Sequence, residues 1–116
     1  MPPLRYVILH HTGVSQPHFD IMVETEPGGP LRTWRSAVWP ITERTAVVAL
    51  VDHRAVYLDY EGPVSGGRGE VKRVERGTCE FTPAVNGFML TLPTSQRLFI
   101  GNAGFIDQEQ PPSRWL

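Results

Sequence analysis

Eleven glycines and eleven prolines are spread through a chain of 116 residues, and this punctuation limits the fold more than any other feature. In a helix interior glycine costs about 1 kcal/mol and proline about 3 kcal/mol relative to alanine, and the intervals between them here are short. No segment keeps a helical apolar period long enough to build an amphipathic helix. The intervals are instead rich in β-branched and aromatic residues, which predicts strands near 4–11, 18–25, 31–38, 45–52, 56–60, 69–76, 78–82, 87–92 and 97–101. Turn clusters separate many of them, among them Glu26-Pro27-Gly28-Gly29-Pro30, Ser65-Gly66-Gly67-Arg68-Gly69 and Asn86-Gly87. Many short strands in one small chain imply a sandwich or a closed barrel. The expected fold is all-β: a small closed or nearly closed antiparallel β-barrel with a polar, metal-binding interior. It would form one domain over 1–116, ending in an irregular tail over 107–116 with Trp115 packed back onto the body.

The remaining composition excludes several function classes. Hydrophobic residues make up 41% and charged residues 20%, the balance of a folded globule rather than a disordered chain. A net charge of −1 provides no overall basic field, so contact with nucleic acid requires a local patch. The single cysteine, Cys79, rules out an intrachain disulfide and a cysteine-built zinc cage. The longest purely apolar run, Ala46 to Val51, is far too short to cross a bilayer, and no secretory signal pattern opens the chain. A cytoplasmic protein without membrane contact is expected.

The chemistry concentrates in His10-His11-Thr12-Gly13-Val14-Ser15-Gln16-Pro17-His18-Phe19-Asp20. On a strand from residue 18, His18 and Asp20 share a face with Met22 and Glu24, their Cα atoms roughly 7 Å apart. Phe19, Ile21 and Val23 take the other face. Gly13 and Pro17 mark a connection, and a hairpin across it brings His11 beside His18. Two histidines and one carboxylate suit a first-row divalent metal with positions left open for substrate or water. The competing reading is an ordinary hydrogen-bonded His–Asp pair on a strand whose polar face is solvated.

A second constellation surrounds Asp52-His53-Arg54-Ala55-Val56-Tyr57, with Arg44 just ahead of the preceding strand. Arg44, His53 and Tyr57 at one rim would form an anion clamp of guanidinium, imidazole and phenol. Taken singly, each also fits an ordinary surface arginine, a satisfied histidine or a core tyrosine. In the stretch from Arg68 to Arg76, strict alternation puts Lys72, Val74 and Arg76 on one face and Arg73 with Glu75 on the other, as on a solvated, salt-bridged strand. The glycine-rich segment 65–69 lacks the residues of a nucleotide cradle.

The ordered combination resembles the 3′-phosphoesterase domain at the N-terminus of bacterial DNA ligase D, a family that includes free-standing versions. That family runs a histidine, a short loop, His-Tyr-Asp-Phe-Arg-Leu-Glu, and a Leu-Lys-Ser-Trp segment. An Arg-Leu-Ala-Val strand follows, ending in Glu-Asp-His, then a tyrosine four residues on and Glu-Gly. This chain has His11, His18-Phe19-Asp20-Ile21-Met22-Val23-Glu24, Leu31-Arg32-Thr33-Trp34, Arg44-Thr45-Ala46-Val47, Asp52-His53, Tyr57 and Glu61-Gly62. The resemblance covers roughly residues 5 to 77. It implies a small β-barrel enzyme, manganese-dependent (zinc or another divalent metal being the alternatives), that trims 3′-phosphate or 3′-ribonucleotide ends of nucleic acid. It also implies a setting in end repair alongside a ligase and polymerase. His11, His18 and Asp20 would hold the metal, and Arg44, His53 and Tyr57 would act on the scissile phosphate.

Three departures stand out. Met22 replaces a phosphate-contacting arginine, with Arg32 or Arg35 from the next strand as substitutes. The lysine after the tryptophan is absent, and the His11–His18 loop is one residue longer, which leaves His10 as a rival ligand. Two alternatives therefore accompany the enzyme reading. One is a decayed, non-catalytic relative that binds 3′ ends or a repair partner. The other is a non-haem iron oxygenase using His18, Asp20 and a distal His53 as a facial triad.

Overall fold

In a computed structural model, which describes residues 3–109, the chain runs through nine strands: β1 (Leu4–Thr12), β2 (His18–Glu24), β3 (Leu31–Ser36), β4 (Thr45–His53), β5 (Gly62–Pro63), β6 (Glu70–Ala84), β7 (Gly87–Thr91), β8 (Arg97–Gly101) and β9 (Phe105–Gln108). Every pairing is antiparallel, in the order β1-β2-β3-β4-β9-β8-β7-β6. A pairing of β1 with the first part of β6 closes these eight strands into a ring, and β5 adds to the start of β6. The described residues contain no α-helix, and no helix long and apolar enough to cross a membrane.

Alternation along the strands builds two apolar clusters. The larger takes residues from all eight ring strands, including Tyr6, Ile8, Ile21, Trp34, Val47, Cys79, Leu90, Ile100 and Ile106. The smaller takes the opposite face of β1 and β2 (Val7, Leu9 and Met22) together with Leu31, Leu58 and Val71. β1 and β2 are therefore covered on both sides. The closed antiparallel architecture read from the sequence is present, and its polar group lies on the face of β1 and β2 that carries the smaller cluster. The solvated polar face does not survive: His18, Asp20, Met22 and Glu24 are all buried.

Several boundaries differ from the sequence reading. Residues 56–60 do not form a strand; Ala55–Leu58 make a 3-10 turn. Tyr57 from this turn and Tyr60 just beyond it both pack against the smaller cluster, their rings meeting edge-on. The predicted strands 69–76 and 78–82 are one strand, β6. Gly77 is no break: a Cβ there would crowd the Tyr6 ring and Pro93, so it marks close approach inside a continuous strand. Asp107 and Gln108 belong to β9 rather than to an irregular tail, while Trp115 lies outside the described residues.

A register shift between β1 and β6 overturns the facial assignment of the basic stretch. Leu9 pairs with Arg73 and Ile8 with Glu75, leaving Val74 as the extra residue. Arg73 thus faces the small cluster's side and pairs with Glu61. Glu75 faces the main cluster, where it accepts hydrogen bonds from the Tyr6 hydroxyl (2.6 Å) and the Trp39 indole N–H (3.1 Å).

Cys79 is packed in the main cluster, and burial, with a smaller contribution from the Glu24 charge, pushes its thiol up to about 12. The reactive thiolate is then scarce near neutrality. A folded pKa above the unfolded one favours the fold below about 9, and that contribution is lost as pH rises toward about 12. Iodoacetamide at pH 8 should therefore label Cys79 only at the rate of unfolding and not in the native state. Rapid labelling of the folded protein would contradict this packing.

Candidate metal centre and cleft

The register of β1 against β2 sets His11 directly opposite His18 and Leu9 opposite Asp20. His11 and Asp20 are diagonal neighbours on one face, within reach across an antiparallel pair. One ligand atom each from His11, His18 and Asp20 lie within 4.8 Å of one another. His10 belongs to the other face, where its ring stacks on Phe19 at 4.4 Å. Of the two adjacent histidines, His11 is the one in the cluster.

Backbone carbonyls decide which ring nitrogens face the carboxylate. His18 Nδ1–H donates to the carbonyl of Gln16 at 2.8 Å, so Nε2 carries the lone pair. His11 Nε2–H donates to the carbonyl of Arg68 at 2.7 Å, so Nδ1 carries the lone pair. These two nitrogens lie 3.4 Å and 3.7 Å from the two oxygens of Asp20. His18 and Asp20 are only 6% and 5% exposed, and His18 Nε2 and Asp20 Oδ1 have no hydrogen-bond partner.

The separations argue against a closed hydrogen-bonded pair. A good N–H···O hydrogen bond spans about 2.9 Å. Two ligands bound tetrahedrally to one cation at about 2.1 Å lie about 3.4 Å apart. The donor set could hold a metal ion, because lone pairs and a carboxylate converge while both N–H groups point away to backbone carbonyls. Glu24, on the same face of β2, supplies the contrast: its two oxygens accept from the backbone N–H groups of Arg5 and Gly28, and nothing is left over.

The cluster sits in a cleft of about 390 Å³, whose walls also include Arg35, Leu50, His53, Tyr57 and Arg68. His53 reaches it through an irregularity in β4. Thr33 pairs with Leu50 and Leu31 with His53, so β4 carries one extra residue that turns His53 to the same side as Leu50. Its Nδ1–H donates to the Val51 carbonyl at 2.9 Å, leaving Nε2 available. Tyr57, from the 3-10 turn, stands 5.8 Å from it, ring centre to ring centre.

Arg44 does not join them. It precedes β4 by one residue, about 26 Å of strand from His53. There it pairs with Asp107 at 3.2 Å, and its guanidinium lies 4.1 Å from the Phe105 ring centre. The three-residue clamp read from the sequence is therefore incomplete in the cleft, because the length of β4 separates its members. Between the two substitute arginines, alternation decides. Arg35 pairs with Asp20 and lines the cleft, whereas Arg32 pairs with Val23 and lies over Trp34 and Phe88 on the other face. Met22 is buried among the apolar residues beneath the cluster.

The sequence reading missed the role of segment 65–69, which supports the site. Gly13 and Gly69 both have positive φ, and a Cβ on Gly69 would collide with the Thr12 carbonyl oxygen. This close approach brings the Arg68 carbonyl to His11. The Arg68 side chain is held by Ser65 through Nε and Nη2. Backbone carbonyls carry no residue-specific signature, so only the two glycines hinted at this contact.

Neither a protein-family model nor a curated protein sequence matches this chain.

The orphaned polar atoms generate two predictions. Mn²⁺ or Zn²⁺ at 100 times Kd should stabilise the wild-type protein by about 2.7 kcal/mol, read as a rise in Tm. Asp20→Asn should lose that rise while leaving the metal-free Tm unchanged or higher, since a buried carboxylate without a full set of partners is costly. A lower metal-free Tm together with a retained metal response would contradict the assignment. Gly69→Ala should weaken metal affinity by about 10–100-fold through His11, as measured by titration calorimetry.

Proposed function

We propose that the protein is a divalent-metal-dependent phosphoesterase acting at the 3′ ends of nucleic acid, with Mn²⁺ as the preferred ion. One observation carries the reading: two imidazoles and a carboxylate converge, with unsatisfied atoms, in a cleft that also holds a histidine, a tyrosine and two arginines. The ordered sequence resemblance to the phosphoesterase domain of DNA ligase D supplies the substrate class. Work beside a ligase or polymerase of end joining belongs to the same proposal.

A cation held by His11, His18 and Asp20 would supply Lewis-acid charge to a phosphoryl oxygen. Arg35, exposed at the cleft and without an ion pair among the described residues, draws the anion in and offsets charge on its oxygens. His53 presents Nε2 and, when protonated, donates to the phosphate or to the departing oxygen. The Tyr57 hydroxyl orients the phosphoryl group. This reading is preferred to the facial-triad alternative built on His53 because His11 is the residue grouped with His18 and Asp20.

A 3′-labelled primer-template ending in a ribonucleotide or a 3′-phosphate, incubated with and without Mn²⁺, tests the proposal. His53→Ala should lower kcat/KM by about 10²–10⁴-fold while Mn²⁺ affinity stays within twofold. Asp20→Ala should lose both activity and affinity. Tight Mn²⁺ binding without turnover of either substrate would leave a non-catalytic end-binding protein in place of the enzyme.

A further inference from the structure

A second cavity, of about 260 Å³, adjoins the cleft and shares Tyr57 and Val64 with it. We propose that it is a stacking subsite for the base of the nucleotide whose 3′ phosphate lies in the cleft; the inference rests on the phosphoesterase reading and adds a determinant of substrate choice.

The shape and chemistry of the cavity suit a planar ring. Tyr57 and Tyr60 meet at 88° with centroids 6.0 Å apart, so one ring stands as a wall beside the other. Val56 and Val64 add apolar surface. Arg54 lies at the cavity, exposed and without an ion pair among the described residues, and its flat guanidinium stacks on bases as readily as it attracts phosphate. The only polar side chains otherwise present are the tyrosine hydroxyls and Ser65. The Tyr60 hydroxyl is already committed to the Pro63 carbonyl, and Ser65 accepts from Arg68. An apolar, aromatic notch with few free polar groups grips any base through its face and reads little of its edge.

Position supports the same assignment. Tyr57 lines both cavities, with its ring centre 5.8 Å from that of His53 and 6.0 Å from that of Tyr60. A nucleotide with its phosphate beside His53 has its sugar and base directed along this ring into the second cavity. The proposed site therefore grips a terminal nucleoside as well as a phosphate, with little preference among the four bases.

The test uses two 5′-fluorescein oligonucleotides ending in a non-hydrolysable 3′-methylenephosphonate. One carries a terminal thymine, and the other a tetrahydrofuran in place of the terminal nucleoside. Fluorescence anisotropy with Mn²⁺ should show wild-type protein binding the thymine form about tenfold more tightly. Tyr60→Leu should shrink that ratio while changing affinity for the tetrahydrofuran form by less than about twofold, and Arg54→Gln should shrink it while weakening both forms. Tyr60→Phe, which keeps the ring, should retain it. Equal wild-type binding of both oligonucleotides would overturn the subsite and leave the phosphoesterase reading standing. Binding of neither would overturn both. A retained ratio in Tyr60→Leu and Arg54→Gln would place the base elsewhere.

Discussion

The pairing register of β1 with β2 is the constraint on which the site depends. Side chains alternate with period two, so a slip of one residue would send every side chain of one strand to the opposite face. In the observed register His11 opposes His18, and Asp20 lies on the same face one pair further along. Burial pins this register twice. Tyr6, Ile8, Ile21 and Val23 fill the larger cluster while Val7, Leu9 and Met22 fill the smaller one. A strand pair buried on a single face has one hydrophobic pattern to satisfy; β1 and β2 have two, and the polar trio takes the positions left at one end of the second.

Around this pair, irregularities do the aiming. The extra residue in β4 turns His53 into the cleft, and the extra residue Val74 in β6 separates Arg73 from Glu75. Both lie where a regular ladder would have pointed a charged or imidazole side chain to the other face. The closely approached pair Gly13 and Gly69 ties the loop after β1 to the start of β6, which sets the Arg68 carbonyl against His11. Its own strand, the adjoining hairpin loop and the sequence-distant glycine-rich loop thereby hold one imidazole.

The legible and illegible parts of the sequence divide along these lines. His11, His18 and Asp20 fall within ten residues and one hairpin, so strand alternation and a turn signal sufficed to bring them together. The all-β class followed from glycine and proline spacing. What failed needed long-range register. Arg44 reads as a partner of His53 when strand length is ignored, yet β4 places them at opposite ends. Alternation paired Arg73 with Glu75 because a bulge leaves no mark in a run of β-formers. Gly77 reads as a break until Tyr6 is known to press against it. β9 has four residues and only two of them are apolar, too little pattern to stand out beside the prolines that follow.

The electrostatics of the trio explain why its geometry points to a cation. With Nδ1–H of His18 and Nε2–H of His11 committed to carbonyls, two lone pairs and a carboxylate face one another in a buried site. Lone pairs turned toward an anion repel it, and low local dielectric strengthens that repulsion. Within the trio only the edge-on packing of the His11 and His18 rings is attractive. The backbone carbonyls, the register and the neighbouring apolar residues hold the rest in place. Met22 fits this account. It is buried in the smaller apolar cluster and also lines the cleft, where its thioether supplies no charge. A cation held by His11, His18 and Asp20 would give the carboxylate and the two lone pairs a common partner, and its binding would add to the stability of the folded chain.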